Sequence, residues 1–164
     1  MDNILIFDSA ADQCTGGGSA WDIAYYTNKS VNCYNYIKDN KNPIVHTLPI
    51  AGAHTVISPP SGKPFIALIH QMVYNKYLNQ NESLALLYQL MNHSINVDLV
   101  LSCYTTKDGT NGTQSFTIDG NSYPLEYSGR KIYVRISKPT QEDYDTLIVH
   151  ELTSSYPYEP DSDM

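Results

Sequence analysis

"FIALIHQMVYNKYL", residues 65–78, decides the fold class, because its apolar residues fall at helical spacing. Phe65, Leu68, Ile69, Met72, Val73 and Tyr77 recur at the three-and-four spacing of one helix face. The next stretch, "NESLALLYQLMNHS" (residues 81–94), repeats that spacing with Leu84, Leu87, Tyr88 and Met91, and Asn81 is placed to cap it. With the polar Asn79-Gln80-Asn81 between them, the two stretches predict a central helical pair.

Everything around this pair reads as strand. "ILIF" (4–7) is an apolar run ending at Asp8. "WDIAYYTN" (21–28) and "VNCYNYI" (31–37) read as two aromatic strands turning at Asn28-Lys29-Ser30. "IVHTLPI" and "AHTVISP" predict two short strands on either side of Ala51-Gly52, and "NVDLVLSCYTT" (96–106) a further strand. "SFTI", "SYPLEY" and "KIYVRI" are separated by Asp119-Gly120 and Ser128-Gly129, which are hairpin signals, with Pro124 demoting the middle run to an edge. The expectation is an α+β fold, a single globular domain over residues 1–164. It has a mostly antiparallel sheet, a C-terminal β-meander and a central helical pair.

Composition narrows the function. The chain has 164 residues, 41% hydrophobic and only 16% charged, with a net charge of −7. Lys and Arg never cluster, so a nucleic-acid partner lacks its electrostatic footprint. No run approaches the 18 or so apolar residues of a membrane span. The start "MDNILIFDSA" lacks the basic region of a signal peptide, and three cysteines fit reduced thiols, so a cytoplasmic location is expected, with non-classical export as the alternative. Tyrosine is in excess, with 14 Tyr against 3 Phe and 1 Trp. Tyr rings suit surfaces with one apolar and one wet end.

Near the C-terminal end, "DTLIVHELTSS" (145–155) resembles the start of the zinc metalloprotease helix, with His150-Glu151 after three apolar residues. Two imidazoles four residues apart must reach one ion, and position 154 is Ser154, so no metal site is expected there. Thr140 and Asp143 would cap a helix carrying Tyr144, Leu147, Ile148 and Leu152 on one face. "CTGGGSAW" (14–21) lacks the lysine of a phosphate loop and reads as a flexible glycine loop. Cys14 beside it is the better thiol candidate, with His46 or His54 as base.

Two functions from different classes follow. The favoured one is a non-catalytic binding or self-assembly module, recognising a protein or glycan partner or a second copy of itself. Its surface would be Trp21, Tyr25, Tyr26, Tyr34 and Tyr36, and no cofactor is called for. The alternative is a small metal-dependent hydrolase. Asp8 at a strand end, Asp12 four residues on and Glu82 at the second helix start would form its carboxylate set.

Overall fold

The computed structural model describes residues 3–8, 14–35, 44–75, 81–99, 114–129 and 131–156. In chain order the strands are β1 (Asn3–Asp8), β2 (Thr15–Gly17), β3 (Asp22–Asn35), β4 (Ile44–Ser58), β5 (Phe65–Asn75), β6 (Glu82–Leu86) and β7 (Asn96–Asp98). They continue with β8 (Ser115–Ile118), β9 (Asn121–Pro124), β10 (Glu126–Ser128), β11 (Lys131–Ser137) and β12 (Val149–Glu151). Two short helices, α1 (Leu87–Met91) and α2 (Gln141–Thr146), interrupt them.

The fold is therefore mostly β, and the expected α+β class with a helical pair is not formed. Residues 65–75 are strand β5, buried on consecutive positions from Phe65 to Ala67 and from Ile69 to Val73. A strand covered on both faces shows no in–out alternation, so its apolar spacing matched a helix by coincidence. It pairs with β4 along one side, while β12 and β2 share the other. Of the second expected helix only α1 is helical; Glu82–Leu86 is β6, parallel to β1.

Strands β11, β1, β6, β2, β5 and β4 follow one another in the sheet, and β4 pairs back onto β11, closing a six-stranded barrel. β3 extends beyond β4 as an outer strand, and β10 lies beside β11. The two expected hairpins of the C-terminal meander are present but belong to different sheets. β8 and β9 join β7 in a separate three-stranded sheet, whereas β10 and β11 belong to the barrel. Residues 22–35 and 44–58 form two long strands, not four short ones; the expected turn at Asn28-Lys29-Ser30 is a register shift within β3.

Leu5, Phe7, Ala53, Ile57, Phe65, Ile69, Val134 and Ile136 fill one buried cluster, which Phe116 and Ile118 of the small sheet share. Phe116 is the joint: its ring lies 5.6 Å from that of Phe7, 6.2 Å from Phe65 and 5.3 Å from Tyr123. Among the described residues no helix is long and apolar enough to cross a membrane. Because Phe116 is fully buried between both sheets, Phe116→Ala should cost about 3–5 kcal/mol. Urea unfolding reads this as a lowered midpoint.

Candidate functional site

Two places concentrate chemistry-bearing groups. The first is the end of β1. Leu5 and Phe7 are buried, and this apolar strand delivers Asp8 to its tip, opposite Leu86 of the parallel β6. β1 and β2 are consecutive in the chain but not neighbours in the sheet; β6 lies between them, parallel to β1 and antiparallel to β2. The chain re-enters at Cys14, which is held from three directions. Its N–H donates to Gln89 Oε1 (3.2 Å), its carbonyl accepts from Val73 N–H (2.9 Å), and its sulfur accepts from Leu86 N–H (3.3 Å).

That anchoring overturns the expectation of a reactive thiol. Burial pushes the Cys14 thiol up to about 12, outweighing the lowering effect of the Leu86 N–H. A thiol that stays protonated is a hydrogen-bond acceptor and packing group, not a nucleophile. Gly16 and Gly17 likewise lie in β2, and a Cβ at Gly16 would meet Met72 and Trp21, so close packing explains this glycine.

Of the expected carboxylate set, Asp8 and Glu82 do not converge. Glu82 lies beside Ile4, four positions from the Leu86 that faces Asp8, which is roughly 13 Å along a strand. Glu82 is also ion-paired with Lys131. Asp12 lies outside the described residues. Among the described residues, no group of three or more His, Cys, Asp or Glu is arranged to hold a metal ion.

The second place is the face formed by β3, β4, β5 and β12. Strand register aligns Asp22, His54, Leu68 and Glu151 in one row across four strands. Tyr144 reaches this row from α2, whose Thr140–Asp143 capping box forms as expected. Its hydroxyl donates to Asp22 Oδ2 at 2.6 Å and lies 3.3 Å from His54 Nδ1. Beside this row, Tyr25 is hydrogen-bonded to His70 Nδ1, and His70 Nε2 lies 3.3 Å from Glu151 Oε1. A neutral imidazole protonated on Nε2 satisfies both contacts.

The backbone is bent to make this contact. Between the pairs Ala51↔Met72 and Ala53↔Ile69, His70 and Gln71 together oppose Gly52 in a β-bulge. Gln71 takes φ 55°, a left-handed conformation that costs about 1–2 kcal/mol for a residue with a Cβ. Several bonds hold it. Thr153 Oγ1 accepts from His70 N–H (2.8 Å) and donates to His70 O (2.9 Å), while Gln89 Nε2 donates to the carbonyls of His70 and Gln71 (3.2 and 3.3 Å). Gly52 is required opposite, because a Cβ there would overlap the ring of Tyr25 as it crosses β4.

Electrostatics follow the burial. Burial lowers the affinity of His54 for a proton; Asp22 opposes this and His70 reinforces it. Burial raises the Tyr25 hydroxyl, and the charge of Glu151 adds to the rise. Tyr144 is raised further by burial, by its bond to Asp22 and by the charge of Asp22. Alongside Glu151 opens a cleft of about 530 Å³ lined by Leu68, His93, Ile118, Asp119 and His150.

The expected recognition residues divide. Trp21 is a core residue, 3% exposed, with its Nε1–H donating to Ser83 Oγ at 2.9 Å. Tyr25 is tied to His70, Tyr26 is 59% exposed, Tyr34 lies on β3 opposite Val45, and Tyr36 lies outside the described residues. His150 and Glu151 are on a strand, so the zinc-helix geometry is absent as well as its second histidine. His150 instead meets Asp119 at 3.4 Å. The roles of His70, Glu151, Asp22 and Tyr144 have no local sequence signal, because pairing between distant strands creates them. Comparison with protein-family models, curated proteins and solved structures returns no match.

Two pH dependences follow. Tyr25 and Tyr144 hold their protons more tightly folded than unfolded. Their contribution is complete below the ordinary value of 10.0 and is lost as pH rises beyond it. Urea midpoints should fall above pH 10.0, less steeply in Tyr144→Phe. His54 has the opposite sense: its lowered value makes folding less favourable as pH falls through 6.5, and His54→Gln should flatten that limb.

Proposed function

We propose that this chain is an acid–base hydrolase centred on Asp8, acting as a pair of identical chains. The position of Asp8 supports this reading most. An apolar strand carries the carboxyl group to the end of the parallel pair β1–β6, and the chain re-enters beyond β6 at the firmly held Cys14. A carboxyl group at the tip of a buried apolar strand, close to a firmly held segment, stands on a rigid scaffold that suits a reactive group.

Hydrolysis needs a base for water and an acid for the bond that breaks. Two carboxyl groups fill both roles when they share one proton, because two negative charges at contact distance do not both persist. Glu82 stands too far along β6 to be the second acid. The reading takes the second acid to be Asp8 of a second copy, which a two-fold axis passing at this strand end would bring opposite the first. One Asp8 carboxylate takes a proton from water as the water oxygen attacks an amide carbonyl carbon. The other Asp8 gives its proton to the carbonyl oxygen, leaving a gem-diol; the C–N bond then breaks as the nitrogen takes the proton held by the first carboxyl group, and one diol hydroxyl returns its proton to the second.

Wild-type chain should cleave an unfolded protein such as reduced casein with a bell-shaped pH profile, as a dimer in sedimentation. Asp8→Asn should lose roughly 10²–10⁴-fold in rate while melting normally. Full activity in that variant overturns the reading. Activity that depends on added magnesium or manganese would point instead to a metal route through Asp8 and Asp12.

A second reading is recognition of a protein, a glycan or another copy along β3. Among the described residues β3 pairs only with β4, and Tyr26 stands exposed on it. Register shifts between Ile23 and Tyr25 and between Tyr26 and Ser30 interrupt that edge, which favours side-chain contacts over continued strand pairing. Tyr26→Ser should then weaken self-association in sedimentation velocity without altering the melting temperature.

A further inference from the structure

Tyr25, His70 and Glu151 stand in the order hydroxyl, base and orienting acid, joined by two consecutive hydrogen bonds from three different strands. This is the arrangement by which a weak nucleophile is activated: the base accepts its proton during attack, and the acid fixes the base. The strands reach it at a cost. Gln71 is held in a left-handed conformation, Gly52 forgoes a side chain, and Thr153 binds both backbone polar groups of His70. The imidazole is enclosed, with its side chain 8% exposed, whereas Glu151 is 56% exposed and Tyr25 38%. Tyr25 is therefore partly open to solvent while the base is shielded from bulk water.

We infer that Tyr25 is an acyl-accepting site for activated esters, with His70 as its general base and Glu151 as the residue that positions His70. In the step, the Tyr25 Oη–H proton passes to His70 Nδ1 as Oη bonds to the ester carbonyl carbon. The bond from that carbon to the leaving oxygen breaks, and the leaving oxygen takes the proton from Nδ1. The products are an acyl ester on Tyr25 and a free alcohol. Water, losing a proton to the same nitrogen, then releases the carboxylic acid and restores Tyr25. The hydroxyl is protonated at rest, since burial and Glu151 both disfavour the phenolate; the proton therefore leaves during attack, as it does from a serine nucleophile.

Tyr26 is the built-in comparison. It is adjacent in the chain and more exposed, but successive residues of a strand point to opposite faces, so it is turned from His70. The full chain is mixed with p-nitrophenyl acetate near neutral pH, p-nitrophenolate release is followed, and acetylated tyrosines are located by peptide mass spectrometry. The expected result is an initial release of about one equivalent per chain, with Tyr25 acetylated at least ~10-fold faster than Tyr26. Glu151→Gln, at an exposed position, and His70→Gln should each bring Tyr25 down towards the rate of Tyr26. Acetylation of Tyr25 no faster than Tyr26, or undiminished acetylation in Glu151→Gln, overturns the inference.

Discussion

The pairing of β11 with β4 is the constraint on which the architecture rests. Arg135, Ile136 and Ser137 lie opposite Ser58, Ile57 and Val56, and this seam turns an open sheet into a barrel. Ile57 and Ile136 are buried at it. The Thr55 hydroxyl reaches the carbonyls of Ala20 (2.8 Å) and Ser137 (3.2 Å) from inside. Closure removes two edges that would otherwise expose unpaired backbone groups.

A single buried amide connects the two chemical regions. Gln89 on α1 accepts from the N–H of Cys14, where the chain returns to the barrel beyond Asp8, and donates to the carbonyls of His70 and Gln71 in the bulge. Each of these backbone groups lies where regular strand pairing is interrupted, and each would cost about 1–3 kcal/mol if buried without a partner. The same side chain thereby steadies the entry to β2 and the distorted turn of β5, and neither region is mechanically independent of the other.

Some of this was legible in the sequence and some was not, for identifiable reasons. "ILIF" followed by Asp8 was readable because an apolar run with a polar stop is a local pattern. The Thr140–Asp143 cap was readable for the same cause. Residues 65–75 misled because β5 is covered on both faces, so the alternation that marks a strand is missing. Trp21 misled because an aromatic residue among tyrosines resembles a surface cluster until Ser83, from a distant strand, satisfies its indole N–H. The Tyr25–His70–Glu151 contact depends on a one-residue bulge and on Gly52; neither has a signature beyond the Ala-Gly-Ala run, whose glycine reads equally as a break between strands.

The arrangement of β1 has a consequence for how the chain folds. Ile4 finds Glu82 on one side and Arg135 on the other, so the first strand has no neighbour close to it in sequence. Pairings between such distant segments cost loop entropy before they return any stability, which slows folding. During synthesis the β3–β4 and β4–β5 hairpins can form early, while the first strand waits with apolar side chains and bare backbone until β6 and then β11 emerge. The interval before the seam closes is therefore the stage at which this chain is most exposed to aggregation and most dependent on chaperones.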